Sequence, residues 1–198
     1  MDERMGSNIN GPSLIRAPDW IDNPLGKYYL YFANHGGKYI RLAYAEDLRG
    51  PWQMHAPGVL DIEDSFFTGH IASPDVIVLD DRREIRMYYH GTGGPGIKGQ
   101  KERVALSSDG LHFTAREEIL GKSYWRVFRW DDWWYALAMP GTFYRSRNGL
   151  MDFEEGPTLF TPDMRHSAVR VHGHALEVFY SNAYDCPERL LLSTIELT

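Results

Sequence analysis

The sequence has very little cysteine: Cys186 is the only one among 198 residues. A single thiol excludes an internal disulfide framework and a zinc site built on cysteines. Cys186 precedes a proline and lacks the pattern of a nucleophilic cysteine, and no G-x-S-x-G nucleophile motif occurs. The sequence therefore shows no sign of thiol or serine-hydrolase chemistry.

Long apolar runs and basic blocks are also missing. No stretch approaches the ~18 apolar residues of a membrane-spanning helix, and residues 1–10, MDERMGSNIN, lack the apolar core of an export signal. We expect a soluble protein, cytoplasmic if this N-terminus is native. The formal net charge is −6 and no Lys/Arg cluster stands out, so neither nucleic acid nor a membrane is expected as a partner.

Helical periodicity is the third absence, because no segment repeats apolar residues at a spacing of 3.6 over ten or more positions. Aromatic residues are abundant instead: 6 Trp, 12 Tyr and 9 Phe make up 14% of the chain. Aromatic side chains favour strands. The composition therefore predicts an all-β protein.

One pattern occurs four times: an apolar strand, a polar turn, an aromatic strand, a loop and a third strand. The aromatic strands are KYYLYFA (27–33), IRMYYHG (85–91), WWYALA (133–138) and LEVFYSN (176–182). The third strands are YIRLAYAEDL (39–48), RVALSSDGL (103–111), TFYRSRNGL (142–150) and RLLLSTIEL (189–197). Asp109-Gly110 and Asn148-Gly149 are typical of tight turns.

The spacing of these copies, about 40 to 60 residues, is typical of four-stranded propeller blades. We predict one β-propeller domain over 1–198, with blade-like copies at 11–56, 70–117, 123–160 and 166–198. A β-sandwich is the alternative. Whether a fifth blade follows Thr198 is left open, and unpaired blade faces would favour a homodimer.

Several segments together resemble the five-bladed propellers of glycoside hydrolase family 43 and its relatives. They are NGPSLIRAPDW, GKYYLYFANH, IRLAYAEDLRGPWQ, HIASPDVIV and IRMYYHG, which lie between residues 10 and 91. The resemblance implies cleavage of arabinosides or xylosides by inversion. It also implies an Asp base on the first blade, a pKa-tuning Asp on the second and a Glu acid on the third.

Only one of these three acidic residues has a clear counterpart. Asp75, in the Ser-Pro-Asp-Val segment, matches the pKa-tuning Asp. Gly11 stands where the base would precede Pro-Ser, and Arg126 lies near the third-blade position, in the Glu-free segment SYWRVFRW. Glu155 of the EEGP segment falls on an outer strand and is interpreted as a blade-edge residue.

Polar residues near the starts of the copies are the candidate substitutes, because inner strands line a propeller's central pocket. The predicted catalytic residues are Asp75, Asp19, His70 and His166, of which the histidines can act as acid or base near neutral pH. The alternatives are that Asp75 and Asp19 cap turns and that the histidines are structural.

The predicted substrate-binding residues are aromatic or basic: Trp20, Phe66, Phe67, Arg126 and Arg165. Aromatic rings suit the face of a sugar ring, and guanidinium groups suit carboxylates or hydroxyls. Anchoring in the core is the alternative for the two phenylalanines. The alternative for the arginines is pairing with Asp75 or Glu63.

Two motif-like patterns are set aside. GTGGPG (91–96) matches a phosphate-loop spacing, but no helix follows it. HGH (172–174) falls at a turn and lacks a third metal ligand nearby. No cofactor and no metal are therefore expected.

These observations predict a glycoside-hydrolase-like protein that acts on, or binds, an oligosaccharide or polysaccharide in the propeller pocket. Two alternatives stay open: a non-catalytic carbohydrate-binding propeller and a protein-interaction propeller. The missing base and acid favour the first of these alternatives. The sugar and its linkage are not indicated by the sequence.

Overall fold

The computed structural model describes residues 6–198 as an all-β chain. Its strands form four antiparallel sheets, and 3-10 turns occur at Ile62–Asp64 and Asp80–Arg82. The chain divides into two compact units, the first ending at Glu118 and the second spanning Ile119–Thr198. The extent of the predicted single domain therefore stays a prediction.

The first unit contains two sheets, which we call blades 1 and 2. In each, neighbours in sequence pair as neighbours in space. Blade 1 consists of β1 (Asn10–Arg16), β2 (Tyr28–Ala33), β3 (Tyr39–Ala45) and β4 (Gln53–Asp61). Blade 2 consists of β5 (His70–Leu79), β6 (Glu84–Thr92), β7 (Lys101–Ser107) and β8 (Thr114–Ala115).

The second unit contains blades 3 and 4. It begins with the short strand β9 (Gly121–Lys122). Blade 3 consists of β10 (Arg126–Trp130), β11 (Trp133–Ala138), β12 (Thr142–Ser146) and β13 (Glu154–Thr158). Blade 4 has three strands among the described residues: β14 (Met164–His172), β15 (Ala175–Asn182) and β16 (Leu191–Glu196).

Each unit has its own core, built from alternate residues of the aromatic strands, because side chains of a strand point to opposite faces in turn. In the first unit Tyr29 and Tyr31 of β2 pack with Ile85, Met87 and Tyr89 of β6. In the second unit the core is formed by Phe128, Leu137, Met164, Leu176 and Val178. Most of these core residues lie on the strands that the aromatic pattern predicts, whereas Phe128 and Met164 come from the inner strands β10 and β14.

The predicted all-β fold with four blades is confirmed, and the four aromatic segments form β2, β6, β11 and β15. GTGGPG ends β6 and enters the loop before β7, and HGH lies at the turn between β14 and β15. Within residues 6–198, no helix is long and apolar enough to cross a membrane.

Candidate functional site

In every blade, a residue in the left-handed backbone region lies within three residues of the start of the first strand. These residues are Gly11 (φ 50°), Ser73 (φ 50°), Tyr124 (φ 64°) and His166 (φ 47°). A positive φ is uncommon for residues other than glycine, and residues held there often mark functional positions. In each unit, this end of the inner strands is therefore a candidate site.

In the first unit, Gly11 and Ser73 lie against each other. A Cβ atom at Gly11 would be 2.5 Å from Ser73 Cα, and the Ser73 hydroxyl donates a 2.6 Å hydrogen bond to Asn10 Oδ1. The backbone of β5 therefore occupies the space that a side chain at position 11 would need. The carboxylate that the resemblance would place there does not fit this packing.

Asp75 follows this contact by two residues and is half-buried. Its partner across the sheet is Tyr88 of β6, whose side chain is fully buried. Burial raises the pKa of Tyr88 well above its usual range; the nearby Arg86 guanidinium opposes this rise, and the Asp75 carboxylate adds to it. Asp75 therefore lies beside a buried polar row on β6, in which Arg86 Nε donates a 2.7 Å hydrogen bond to Glu84.

His70 begins β5 and is partly buried. Its Nδ1 is 2.9 Å from Thr92 Oγ1. Burial lowers the pKa of His70, and electrostatic repulsion from His35 and Lys38 lowers it further. The imidazole is therefore neutral at pH 7, the form that can accept a proton.

His35 and Lys38 lie close to His70, at the same end of the inner strands. Lys38 Nζ donates to the carbonyl of Gly69, next to His70, and His35 Nδ1 is 3.3 Å from Asn10 Nδ2. Neither residue is among those predicted from the sequence. They lie in the loop between β2 and β3, and no motif marks them, so only their proximity to β5 brings them into the site.

Two predicted residues lie elsewhere in the first unit. Asp19 and Trp20 follow Arg16, the last residue of β1, and so lie past the opposite end of that strand from Gly11. The Asp19 side chain is 90% exposed and pairs with Arg16 at 3.2 Å, whereas Trp20 Nε1 donates a 2.9 Å hydrogen bond to Asp80. The structure does not bring them together with His70.

The two phenylalanines before β5 have different environments. Phe66 is 48% exposed and has a positive φ of 59°. Phe67 is 3% exposed and packs edge-on against Tyr89 in the core, with ring centroids 5.9 Å apart. Phe67 thus has the anchoring role that was the alternative prediction, because a buried ring presents no face to a ligand.

In the second unit, Arg126 binds backbone: its Nε donates to the Ser167 carbonyl at 2.8 Å and its Nη1 to the Trp125 carbonyl at 3.0 Å. The guanidinium thus connects β10 to β14. This interblade role was not among the predicted ones, which were ligand binding or pairing with a carboxylate.

His166 and Arg165 form a second polar group with Tyr124. The Tyr124 and His166 rings meet edge-on at 5.8 Å, and Arg165 Nη2 is 2.6 Å from His166 Nε2. Sequence reasoning missed Glu188, in the loop before β16. Its pKa is lowered by a hydrogen bond from Ser181, 2.5 Å away, and by the charges of Arg165 and His166. No sequence pattern marks this carboxylate.

A resident metal ion has no evident ligand set, because the described residues contain no cluster of three or more His, Cys, Asp or Glu side chains suited to one. The chemistry available at the inner-strand ends is that of imidazole, carboxylate and guanidinium groups. Such groups bind sugar hydroxyls and transfer protons.

Comparison with known sequences finds one relative of undefined role. The chain is 32% identical to the uncharacterized protein R118 of Acanthamoeba polyphaga mimivirus, over 96% of this chain and 63% of the relative. No family model matches the sequence. The chain thus spans less than two thirds of that relative's length.

Comparison with solved structures finds glycoside hydrolase family 43 enzymes. A GH43_1 enzyme from Xanthomonas citri complexed with xylose has a TM-score of 0.70 at 13% identity, over 94% of this chain and 69% of that one. An exo-β-1,3-galactanase from Phanerochaete chrysosporium with β-1,3-galactotriose has a TM-score of 0.68 at 13% identity, over 93% and 47%.

A family 43 arabinoxylan arabinofuranohydrolase from Bacillus subtilis, in complex with cellotetraose, has a TM-score of 0.64 at 18% identity. That alignment covers 86% of this chain and 42% of the enzyme. At such identities the likeness establishes the fold. The fold is therefore the glycosidase-type β-propeller that the sequence resemblance implied.

Proposed function

We propose that the protein is a glycosidase-like propeller that acts on an oligosaccharide, with Asp75 and His70 contacting the sugar. The observation that carries this proposal is the left-handed residue beside the start of each inner strand. In blade 2 this residue is Ser73, and Asp75, which is half-buried, follows it by two positions. In blades 2, 3 and 4 a residue other than glycine keeps this strained conformation, which supports a role in binding.

His70 suits the role of proton acceptor. Hydrolysis with inversion needs one group that activates water and one that protonates the leaving oxygen. A neutral imidazole can take the proton from water, and Asp75 can hold sugar hydroxyls as a hydrogen-bond acceptor. In the second unit, His166 and Arg165 are proposed as a separate set of sugar contacts.

The test is product formation from xylo-, arabino- and galacto-oligosaccharides. We expect Asp75→Asn and His70→Gln each to lower turnover about 100-fold or more, the usual size of a general acid–base contribution. Asp81→Asn is the matched control, because this carboxylate lies just past the other end of β5 and is 70% exposed.

Turnover in the parent protein should fall as the pH drops through the His70 pKa, which lies below 6.5, and should be retained above it. Unchanged turnover in Asp75→Asn would show that this carboxylate does not contribute to catalysis.

The packing of Gly11 against Ser73 favours a second candidate, a carbohydrate-binding propeller without hydrolysis. In this case the parent protein binds a sugar of the panel saturably and releases no product on long incubation. Asp75→Asn then weakens the binding. Detectable product from the parent would exclude this candidate.

A further inference from the structure

The outer strands of blade 3 carry a pocket that the proposed function does not use. Its volume is about 340 Å³, and it is lined by residues of β11, β12 and β13. This lies at the lower end of the ~300–1,000 Å³ range of small-molecule sites. The pocket contains the EEGP segment, which the sequence analysis interpreted as a blade edge.

The pocket combines aromatic rings with charged groups. Strand pairing aligns Tyr135, Arg145 and Glu154 across three neighbouring strands, and Phe143 lies two residues before Arg145 on the same face. The Tyr135 ring stacks on Phe128, with centroids 5.4 Å apart and planes 14° apart. This stacking holds the Tyr135 ring in a defined plane.

The charges on the open face of the pocket are balanced, because Arg145 Nε is 2.9 Å from Glu154 Oε2. Glu155 pairs with Lys122 at 2.9 Å and accepts a 2.8 Å hydrogen bond from the Tyr144 hydroxyl on the opposite face of the sheet, since successive side chains of a strand alternate. One cation thus matches one carboxylate, and a charged ligand would have to compete with this ion pair.

These charged groups remain within reach of a ligand. The exposed fractions of the Arg145 and Glu154 side chains are 49% and 61%. A guanidinium offers several donors in one plane, and a carboxylate offers acceptors. Side by side, the two match a ligand that carries both donors and acceptors and has no net charge.

We propose that this pocket binds a neutral sugar. The C–H face of the sugar ring packs on Tyr135 and Phe143, and its hydroxyls bind Arg145 and Glu154. A sugar ring has an apolar face and a polar edge, as the pocket does. The proposed site does not involve Asp75, so the two proposals stand or fall separately.

The experiment is an NMR titration of the ¹⁵N-labelled protein with xylotriose, β-1,3-galactotriose and, as a charged comparison, trigalacturonate. We expect saturable shifts at the amides of 143–145 and 154–156 with a neutral trisaccharide and weaker binding of the uronate. The variant R145Q/E154Q keeps the net charge and shortens only the arginine side chain, and we expect it to bind at least 10-fold more weakly.

The matched control is R170Q/E177Q, which removes the corresponding cross-strand ion pair of blade 4, 2.7 Å long, in the same unit. Its affinity should equal that of the parent. A folded R145Q/E154Q protein with parental affinity would overturn the proposal. So would an absence of pocket shifts with both neutral sugars, or tighter binding of the uronate.

Asp75→Asn should leave the pocket shifts unchanged. Shifts confined to amides around His70 and Asp75 would support the proposed function and overturn the blade 3 site. Shifts confined to the pocket amides would support the blade 3 site and contradict sugar binding at His70 and Asp75.

Discussion

At the scale of single residues, Gly11 decides how β1 meets β5. Its φ of 50° favours glycine, and its close approach to Ser73 leaves no room for a side chain. Beside this contact, the Ser73 hydroxyl donates a hydrogen bond to Asn10 Oδ1. Ser13 Oγ accepts a 2.9 Å hydrogen bond from the amide of Val76. Gly11, which stands where the resemblance would place a base, thus also joins blade 1 to blade 2.

Gly11→Ala tests this contact. We expect it to lower the free energy of unfolding by about 2–4 kcal/mol, as the sum of backbone strain and overpacking. Gly173→Ala is the control, because Gly173 has a φ of 59° but nothing within 4 Å of its added Cβ. The control should lose only about 1–2 kcal/mol, the strain alone. Urea unfolding measures both, and equal losses would contradict the close packing.

At the scale of elements, blades 2 and 3 each contain a turn of the same kind after the third strand. Asp109 Oδ1 accepts hydrogen bonds from the amides of Leu111 and His112 at 2.8 and 2.9 Å. Asn148 Oδ1 accepts them from the amides of Leu150 and Met151 at 2.7 and 3.1 Å. The turn is determined locally, because an Asp or Asn side chain caps its own backbone there.

The Asp109 turn predicts a loss of stability in acid. Burial raises the pKa of Asp109, but hydrogen bonds from His112, Leu111 and Ser107 outweigh it and lower the pKa to about 2. The folded pKa is below the unfolded value of 3.8, so this stabilisation is present above about pH 4 and is lost as the pH falls through 2.

Asp109→Asn should remove this pH dependence. The parent should be more stable than the variant by about 1 kcal/mol at pH 7, since partial exposure screens the effect, and the difference should vanish near pH 2. Unfolding curves across this range provide the measurement. Asp81→Asn is the exposed control and should not change the slope; an unchanged slope in Asp109→Asn would contradict the assignment.

At the scale of the whole molecule, repetition of one blade pattern produces a fold shared with enzymes that are 13–18% identical. A shared fold does not carry a shared reaction, because chemistry resides in the side chains at the site. In this chain Gly11 and Arg126 stand where carboxylates were expected. Activity therefore has to be measured on this chain.

Assembly is also a property of this scale. Leu192 of β16 is 56% exposed and pairs in register with Phe179 of β15, and Leu190 is 77% exposed. Exposed apolar residues on an edge strand favour association. We expect light scattering at micromolar concentration to show a dimer, and Leu192→Lys to shift it toward monomer. A monomeric mass for the parent would contradict the prediction.

The sequence by itself determined the strands and their grouping into blades. Alternating aromatic residues in segments such as YYLYFA and WWYALA set which face of a strand is buried, and Asp109-Gly110 and Asn148-Gly149 set the turns. These preferences act between residues a few positions apart, so they can be derived without knowing the fold.

The tertiary structure decided which side chains share a site. Gly11 meets Ser73 across 62 positions of sequence, Lys38 reaches the residue before His70, and Phe67 turns into the core. Asp19 was grouped with the blade starts by its place in the sequence, yet it lies past the other end of β1. Such contacts depend on how whole strands stack, and a local pattern carries no information about that stacking.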